Sequence, residues 1–366
     1  MPISSTDMPG QLAEDLHDCR GQLRAGSRSF HAAAHLLPGS FCRPASALYA
    51  FCRIADDAVD CDPNPGRALQ TLHARLDALY AGRPIDCAAD RALAKVVKAH
   101  AIPKGLLEAL LDGFAWDSQG RRYQGLGELQ EYAARVAGTV GAMMALLMGV
   151  RESETLARAC DLGVAMQLTN IARDVGEDAR AGRLYLPIDW LQEAGIDPDG
   201  FLADPVFSPA LGGVVRRLLD AADGLYRRAD SGIAVLPRRC APAMYAARLL
   251  YAEIGNEVAR RGYDSVSQRA VVSPWRKLRV LAGLPALGML PRAALDRPPL
   301  AATAYLVDAA AHGAATLDVR RARTGFWGRA AWFVDVFEEL DRRERGYPPR
   351  SLVDDAGAMA PEGSTP

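Results

Sequence analysis

Two mostly apolar segments carry aspartates at four-residue spacing, and this restricts the fold more than any other feature of the chain. The first is Ala47–Asp60, ALYAFCRIADDAVD. Tyr49, Arg53, Asp56 and Asp60 step by four, three and four, which on a helix sets them on one face. The second is Met166–Asp178, MQLTNIARDVGED. There Asn170, Asp174 and Asp178 recur every four residues, Gln167 extends the stripe by a turn, and Arg173 lies beside it. Like charges one turn apart repel by a few tenths of a kcal/mol on an exposed helix (about 0.2–0.5). In a buried helix the cost is far larger unless a cation or a proton neutralises them. Any fold of this chain must hold two acidic helix faces where something positive meets them.

The remaining pattern is helical. Leu12-Leu16-Leu23, Leu72-Leu76-Leu79 and Leu106-Leu107-Leu110-Leu111 follow the three- and four-residue spacings of amphipathic helices, and alternating strand-like segments are scarce. Breaks fall at Pro38-Gly39, Pro63–Gly66, Gly82–Pro84, Pro103, Pro187, Pro198–Gly200, Pro205–Pro209, Pro237, Pro242 and Pro274, which predicts about ten helices. Hydrophobic residues are 49% of the chain, enough for a large core. No fixed-period repeat is evident, and no long flexible linker divides Ser27 from Arg269. The expected architecture is all-α, one domain over 16–350 around a central apolar cavity, with tails at 1–15 and 351–366. The Ala/Gly/Pro/Ser-rich end reads as disordered.

Several function classes recede. Lys+Arg is 43 and Asp+Glu is 44, so no basic surplus exists for nucleic acid. Seven cysteines, an odd number without a Cys-x-x-Cys pair, fit a reduced cytoplasm. Met1–Gly10 is polar and does not read as a secretory signal. The uncharged run Val136–Val150 is 15 residues, short of the roughly 18–20 that span a bilayer, and reads as a core helix. Val280–Pro291 follows Arg276, Lys277 and Arg279 and reads as a packed loop or helix end, with membrane-surface contact as the alternative. Met143, Met144 and Met148 read as core filler. Trp275, Trp327 and Trp332 read as packing or membrane-surface contacts, and Arg320, Arg321 and Arg323 as a solvated face.

One Asp-x-x-x-Asp is usually a solvated helix face. Two, about a hundred residues apart, each in an apolar helix with an arginine near, point to convergence on one cavity. Oxygen ligands in that number suit Mg²⁺ or Mn²⁺, which bridge carboxylates to substrate phosphates. With apolar walls, the matching ligand is a hydrocarbon bearing a diphosphate. Metal ions and arginines stabilise the departing diphosphate. A dry pocket with aromatic faces shields the allylic cation left behind. The six histidines fall in neither motif, so no His general base is implied.

These residues resemble the squalene/phytoene synthase family over about Ser27–Ser273, on the phytoene side. Ser27-Arg28-Ser29-Phe30 resembles the N-terminal flap motif, LYAFCRIADDAVD the first aspartate motif, and QLTNIARDVGEDARAGRLYLP, Gln167–Pro187, the second. The resemblance implies an isoprenoid-synthase-like bundle with Asp56, Asp60, Asn170, Asp174 and Asp178 as metal ligands. Catalytic roles would fall to the four aspartates with Tyr132 and Tyr251. Ser27, Ser29, Phe30, Tyr49, Arg53, Val136, Val140, Gly141, Gln167, Asn170, Arg173, Tyr185 and Arg269 would bind substrate. The implied reaction joins two molecules of geranylgeranyl diphosphate head to head through a cyclopropylcarbinyl diphosphate, prephytoene diphosphate. It ends in proton loss to phytoene, with Mg²⁺ or Mn²⁺ and no NADPH.

The implied setting is the cytoplasm, with a peripheral contact on the inner membrane face and a downstream phytoene desaturase as partner. A farnesyl-using C30 synthase, making dehydrosqualene or squalene, is the alternative. Asp56-Asp57-x-x-Asp60 also matches head-to-tail prenyl transfer or terpene cyclisation, but the second motif argues against both. A scaffold without chemistry would not need all four aspartates with Arg53 and Arg173. Gly125-Leu126-Gly127 lacks the third glycine of a dinucleotide loop.

Overall fold

Prolines and capping residues start the helices close to the predicted breaks. In the computed structural model, residues 12, 14–16, 18–19, 39–283, 295 and 297–312 are described. α1 (Gly39–Cys61) carries the first acidic row. Asn64 caps α2 (Pro65–Tyr80) by accepting from the Arg67 amide at 3.1 Å, with Pro65 in the first turn where its missing N–H costs nothing. α3 (Ala88–His100) and α4 (Lys104–Ser118) follow. Pro198, Pro209 and Pro274 likewise open α9 (Pro198–Ala203), α10 (Pro209–Val235) and α12 (Pro274–Ala282).

The uncharged run after Arg135 is buried as expected, but it is not one regular helix. α5 (Leu126–Ala133) passes into a π-turn at Ala134–Gly138 before α6 (Thr139–Leu147). Such turns are rare and collect at functional sites. This one resets the angle between Tyr132 and the side chains that follow it. α7 (Ser153–Arg180) is the longest described helix and carries the second acidic row. It ends at Arg180, and Gly182 just beyond takes a φ of 75°, which favours a residue without a Cβ. α8 (Ile188–Glu193), α11 (Ala241–Arg260), a 3₁₀ turn at Ala301–Thr303 and α13 (Ala304–His312) complete thirteen numbered helices, with no strand among the described residues. The excess over about ten comes from short helices such as α8 and α9, too brief to show a period.

α7 is the axis of the bundle. It packs against α10, α6, α11, α13 and the π-turn. Glycines let these helices close: a Cβ on Gly141 would sit 2.2 Å from the Ala159 carbonyl oxygen, and one on Gly163 2.2 Å from that of Ala137. α1 packs on α2, α3 and α4, and reaches α7 through α4 and α6 rather than along an extended contact of its own. The two acidic helices are thus held apart by the same core that fixes them. One continuous buried cluster runs from Cys19 to Ala310 and includes Met143, Met144 and Met148. No helix among the described residues is long and apolar enough to cross a membrane.

Candidate active site

The two rows meet at one mouth. On α1, Arg53 reaches Asp56 at 3.2 Å and Asp57 at 2.5 Å. On α7, Arg173 pairs with Asp174 at 2.8 and 2.5 Å, and Arg269 approaches the same carboxylate at 2.8 Å and Glu177 at 3.5 Å. Arg183 lies 4.0 Å from Asp60 and donates its backbone N–H to the Asp178 carbonyl. The Arg183 charge thus acts on both Asp60 and Asp178.

The rows are less buried than the sequence predicts. The side chains of Asp56 and Asp60 are 41% and 50% exposed, whereas Asp174 is 16% exposed. An opening that admits a diphosphate must stay wet, and water limits the repulsion within each row. Repulsion still registers. Burial, and then Asp60, push Asp56 up to about 6. Burial, and then Asp174, push Asp178 up to about 7.

Such starved carboxylates are the donor set that hard divalent cations satisfy. Among the described residues no three His, Cys, Asp or Glu side chains close around a single point. Each row offers a pair of carboxylates, Asp56 with Asp60 and Asp174 with Asp178, and Asn170 adds an amide oxygen one turn before Asp174. A cation there would complete its shell from water and substrate oxygens, the usual habit of Mg²⁺.

Between the rows stands a carboxylate that the sequence reading missed. Asp117, at the end of α4, accepts from the Tyr132 hydroxyl at 2.8 Å and the Tyr185 hydroxyl at 2.7 Å. Burial raises its pKa, against the lowering effect of the two hydroxyls. It lies close enough to perturb both Asp56 and Asp178. Tyr132 and Tyr185 stack at 5.3 Å between ring centres, and the fully buried Tyr123 stacks on Tyr185 at 6.3 Å. No four-residue spacing marked Asp117. Its only signal is an acidic residue next to Trp116, in a helix that also carries Glu108 and Asp112.

Behind the mouth runs an apolar cavity of about 1110 Å³, its opening included. Gln167, Asn170 and Tyr251 line one end; Val136, Val140 and Gly141 line the wall; Met144 and Met148 line it further. Tyr251 is near enough to Arg173 and Asp174 to feel their charges. Tyr49 is half-buried on α1, close to Tyr251. Gly141 lines the cavity, and its missing side chain serves the approach of α6 to α7 as well. Ser27, Ser29 and Phe30 lie outside the described residues, as do Trp327, Trp332, Arg320, Arg321, Arg323, most of Val280–Pro291 and the chain end after 312.

The model of the squalene/phytoene synthase family matches residues 23–276. The chain belongs to that family. The phytoene synthase of Cereibacter sphaeroides is 49% identical over 347 residues, 90% of this chain and 95% of that protein. The phytoene synthase of Rhodobacter capsulatus is 51% identical over 306 residues, 81% and 90% of the two chains. Among solved structures, a dehydrosqualene synthase in complex with a ligand superposes with a TM-score of 0.69 at 29% identity, covering 76% of this chain and 97% of that one. The all-α fold read from the sequence is the fold of these family members. The chain is a prenyl-transferring enzyme of a family that acts on prenyl diphosphates with divalent metal.

Proposed function

We propose that this enzyme condenses two molecules of geranylgeranyl diphosphate head to head, with Mg²⁺, to phytoene. Phytoene synthesis is the activity of its relatives at 49–51% identity. The observation that carries the reading is the cavity itself: mostly apolar in its walls, and lined at one end by Gln167 and Asn170 of the α7 row and by Tyr251, beside the arginine-laced Asp174.

Divalent ions bound by Asp56, Asp60, Asn170, Asp174 and Asp178 would supply Lewis-acid stabilisation of the leaving diphosphate. Arg53, Arg173, Arg183 and Arg269 lie at the same mouth and offset the negative charge that builds there. Once substrate oxygens take over part of this charge balance, Arg173 and Arg269 can turn from Asp174 to the diphosphate. Tyr132 and Tyr185 pack ring to ring beside Asp117, and a developing allylic cation near them would be stabilised by their π electrons. Burial holds both phenols well above their ordinary pKa, so they remain donors to Asp117 and do not trap the cation as phenolates. Val136, Val140 and the methionines keep water from the cation until it is attacked by the second substrate's double bond. Ring opening after a second ionisation and loss of a proton complete the hydrocarbon, with no NADPH consumed.

A peripheral membrane contact fits the product's chemistry, and so does delivery to a desaturase. α12 supports it: Trp275 is 81% exposed, Leu278 is exposed, and Arg276, Lys277 and Arg279 flank them. The deciding experiment incubates the enzyme and Mg²⁺ with geranylgeranyl or farnesyl diphosphate, with and without NADPH, and identifies the hydrocarbon. Phytoene from the C20 substrate, indifferent to NADPH, is expected. A C30 hydrocarbon as the main product at equal substrate would replace this reading with the farnesyl one.

A further inference from the structure

The far end of the cavity is charged, which an apolar tunnel for hydrocarbon does not require. Thr155 and Arg158 line it, a long way down α7 from Asn170. Arg158 is 1% exposed and Asp161 is fully buried. The Arg158 Nε lies 2.9 Å from Asp161 Oδ2, and Arg228 donates its Nε to that same oxygen at 2.9 Å. Both arginines also donate to the Pro298 carbonyl, Arg158 at 3.2 Å and Arg228 at 2.6 Å. Arg158 Nε, although 2.9 Å from Asp161, makes no directed hydrogen bond to it, and Arg158 Nη1 and Asp161 Oδ1 also lack a partner. α10 comes so close that a Cβ on Gly232 would lie 2.2 Å from Arg158 Cβ. The guanidinium is clamped between helices with an unpartnered nitrogen, in the one residue of this cluster that faces the cavity.

We infer that Arg158, held by Asp161 and the Pro298 carbonyl, is the stop that sets how long a prenyl chain the tunnel accepts. This rests on the prenyl diphosphate reading above and deepens it. Arg158 precedes Asp174 by sixteen residues on one helix, about 24 Å of axis at roughly 1.5 Å per residue. With carbon–carbon bonds of about 1.5 Å in zigzag, advancing about 1.25 Å each, the sixteen-carbon main chain of a C20 prenyl group spans roughly 20 Å. The remainder accommodates the diphosphate at the aspartates. On the same scale a C25 chain, roughly 25 Å, runs into Arg158, and a C15 chain, roughly 15 Å, falls well short of it. An apolar floor residue could swing aside for a longer tail. Arg158 cannot, because α10 closes on its Cβ, and moving the guanidinium off Asp161 and the Pro298 carbonyl would leave its own buried charge unpaired.

The test measures kcat/KM of the full chain with farnesyl, geranylgeranyl and geranylfarnesyl diphosphates, alongside binding of the same three by calorimetry. Wild type should discriminate against the C25 substrate. Arg158→Ala should raise the C25-to-C20 ratio of kcat/KM at least tenfold. Arg158→Met, which fills similar space and leaves the Arg228–Asp161 pair intact, should do the same if the alanine variant fails to fold. Arg158→Lys, which keeps the charge, should hold the wild-type ratio. A wild type that uses C25 as readily as C20, or folded Ala and Met variants with the wild-type ratio, overturns the assignment. If no substrate gives hydrocarbon, the functional reading fails by itself, and the binding arm still reads the length limit.

Discussion

Asp117 gives the sharpest test of the site. Asp117→Asn keeps the shape but leaves one oxygen for two tyrosine hydroxyls. One hydroxyl then faces an NH₂ donor, and the other bond loses its charge assistance. Hydrogen bonds to charged groups contribute about 1.5–3 kcal/mol and neutral ones about 0.5–1.5. Losing one and weakening the other therefore costs about 2.5–4.5 kcal/mol. Part of this is returned, since burial and nearby Asp60 make the Asp117 carboxylate costly to ionise. A net loss of about 1–3 kcal/mol is expected. Calorimetry should show a fall in Tm of a few degrees, about 2–4 °C per kcal/mol or somewhat less for a chain this long. The tyrosine hydroxyls would lose their anchor while the rings stay stacked, so kcat should fall about 10–100-fold, with KM little changed because the arginines are untouched. A variant with wild-type kcat and unaltered Tm would refute the view that Asp117 positions the tyrosine pair. A raised Tm would show that desolvation of the carboxylate outweighs both hydrogen bonds.

Asp56→Asn or Asp174→Asn should lower turnover by at least about a hundredfold with helicity by circular dichroism unchanged, because each row loses an anionic ligand for the cation that would neutralise the leaving diphosphate; near-normal turnover would remove the metal-binding assignment. Asp56 and Asp178 hold protons more tightly folded than unfolded. Their stabilising contribution is thus present at acid pH and is lost as pH rises through about 6–7. Mg²⁺ should accordingly raise Tm more at about pH 8 than at about pH 5, by an amount that the partial exposure of Asp56 keeps modest; an equal shift at both pH values would contradict this. Gly163→Ala, whose Cβ would lie 2.2 Å from the Ala137 carbonyl oxygen, should destabilise by about 2 kcal/mol or more in chemical denaturation. Trp275→Ala should weaken sedimentation with anionic vesicles several-fold without changing activity on detergent-dispersed substrate; unchanged sedimentation would sink the α12 contact.

Helical periodicity and the two aspartate rows were legible because both are local. A period of 3.6 needs only neighbouring residues, and a like-charge stripe in an apolar helix announces that something cationic must face it. Local pattern therefore determined the all-α class, most helix starts, and the acidic rows with Arg53 and Arg173 beside them. It could not show that the rows are half-exposed, since burial depends on helices distant in sequence. Asp117 and Arg158 were invisible for the same reason. Asp117 matters through tyrosines 15 and 68 residues away, and Arg158 through a carbonyl 140 residues away. The depth of the cavity, and with it the length of chain it admits, is decided only when α7, α10 and the segment around Pro298 close on one another.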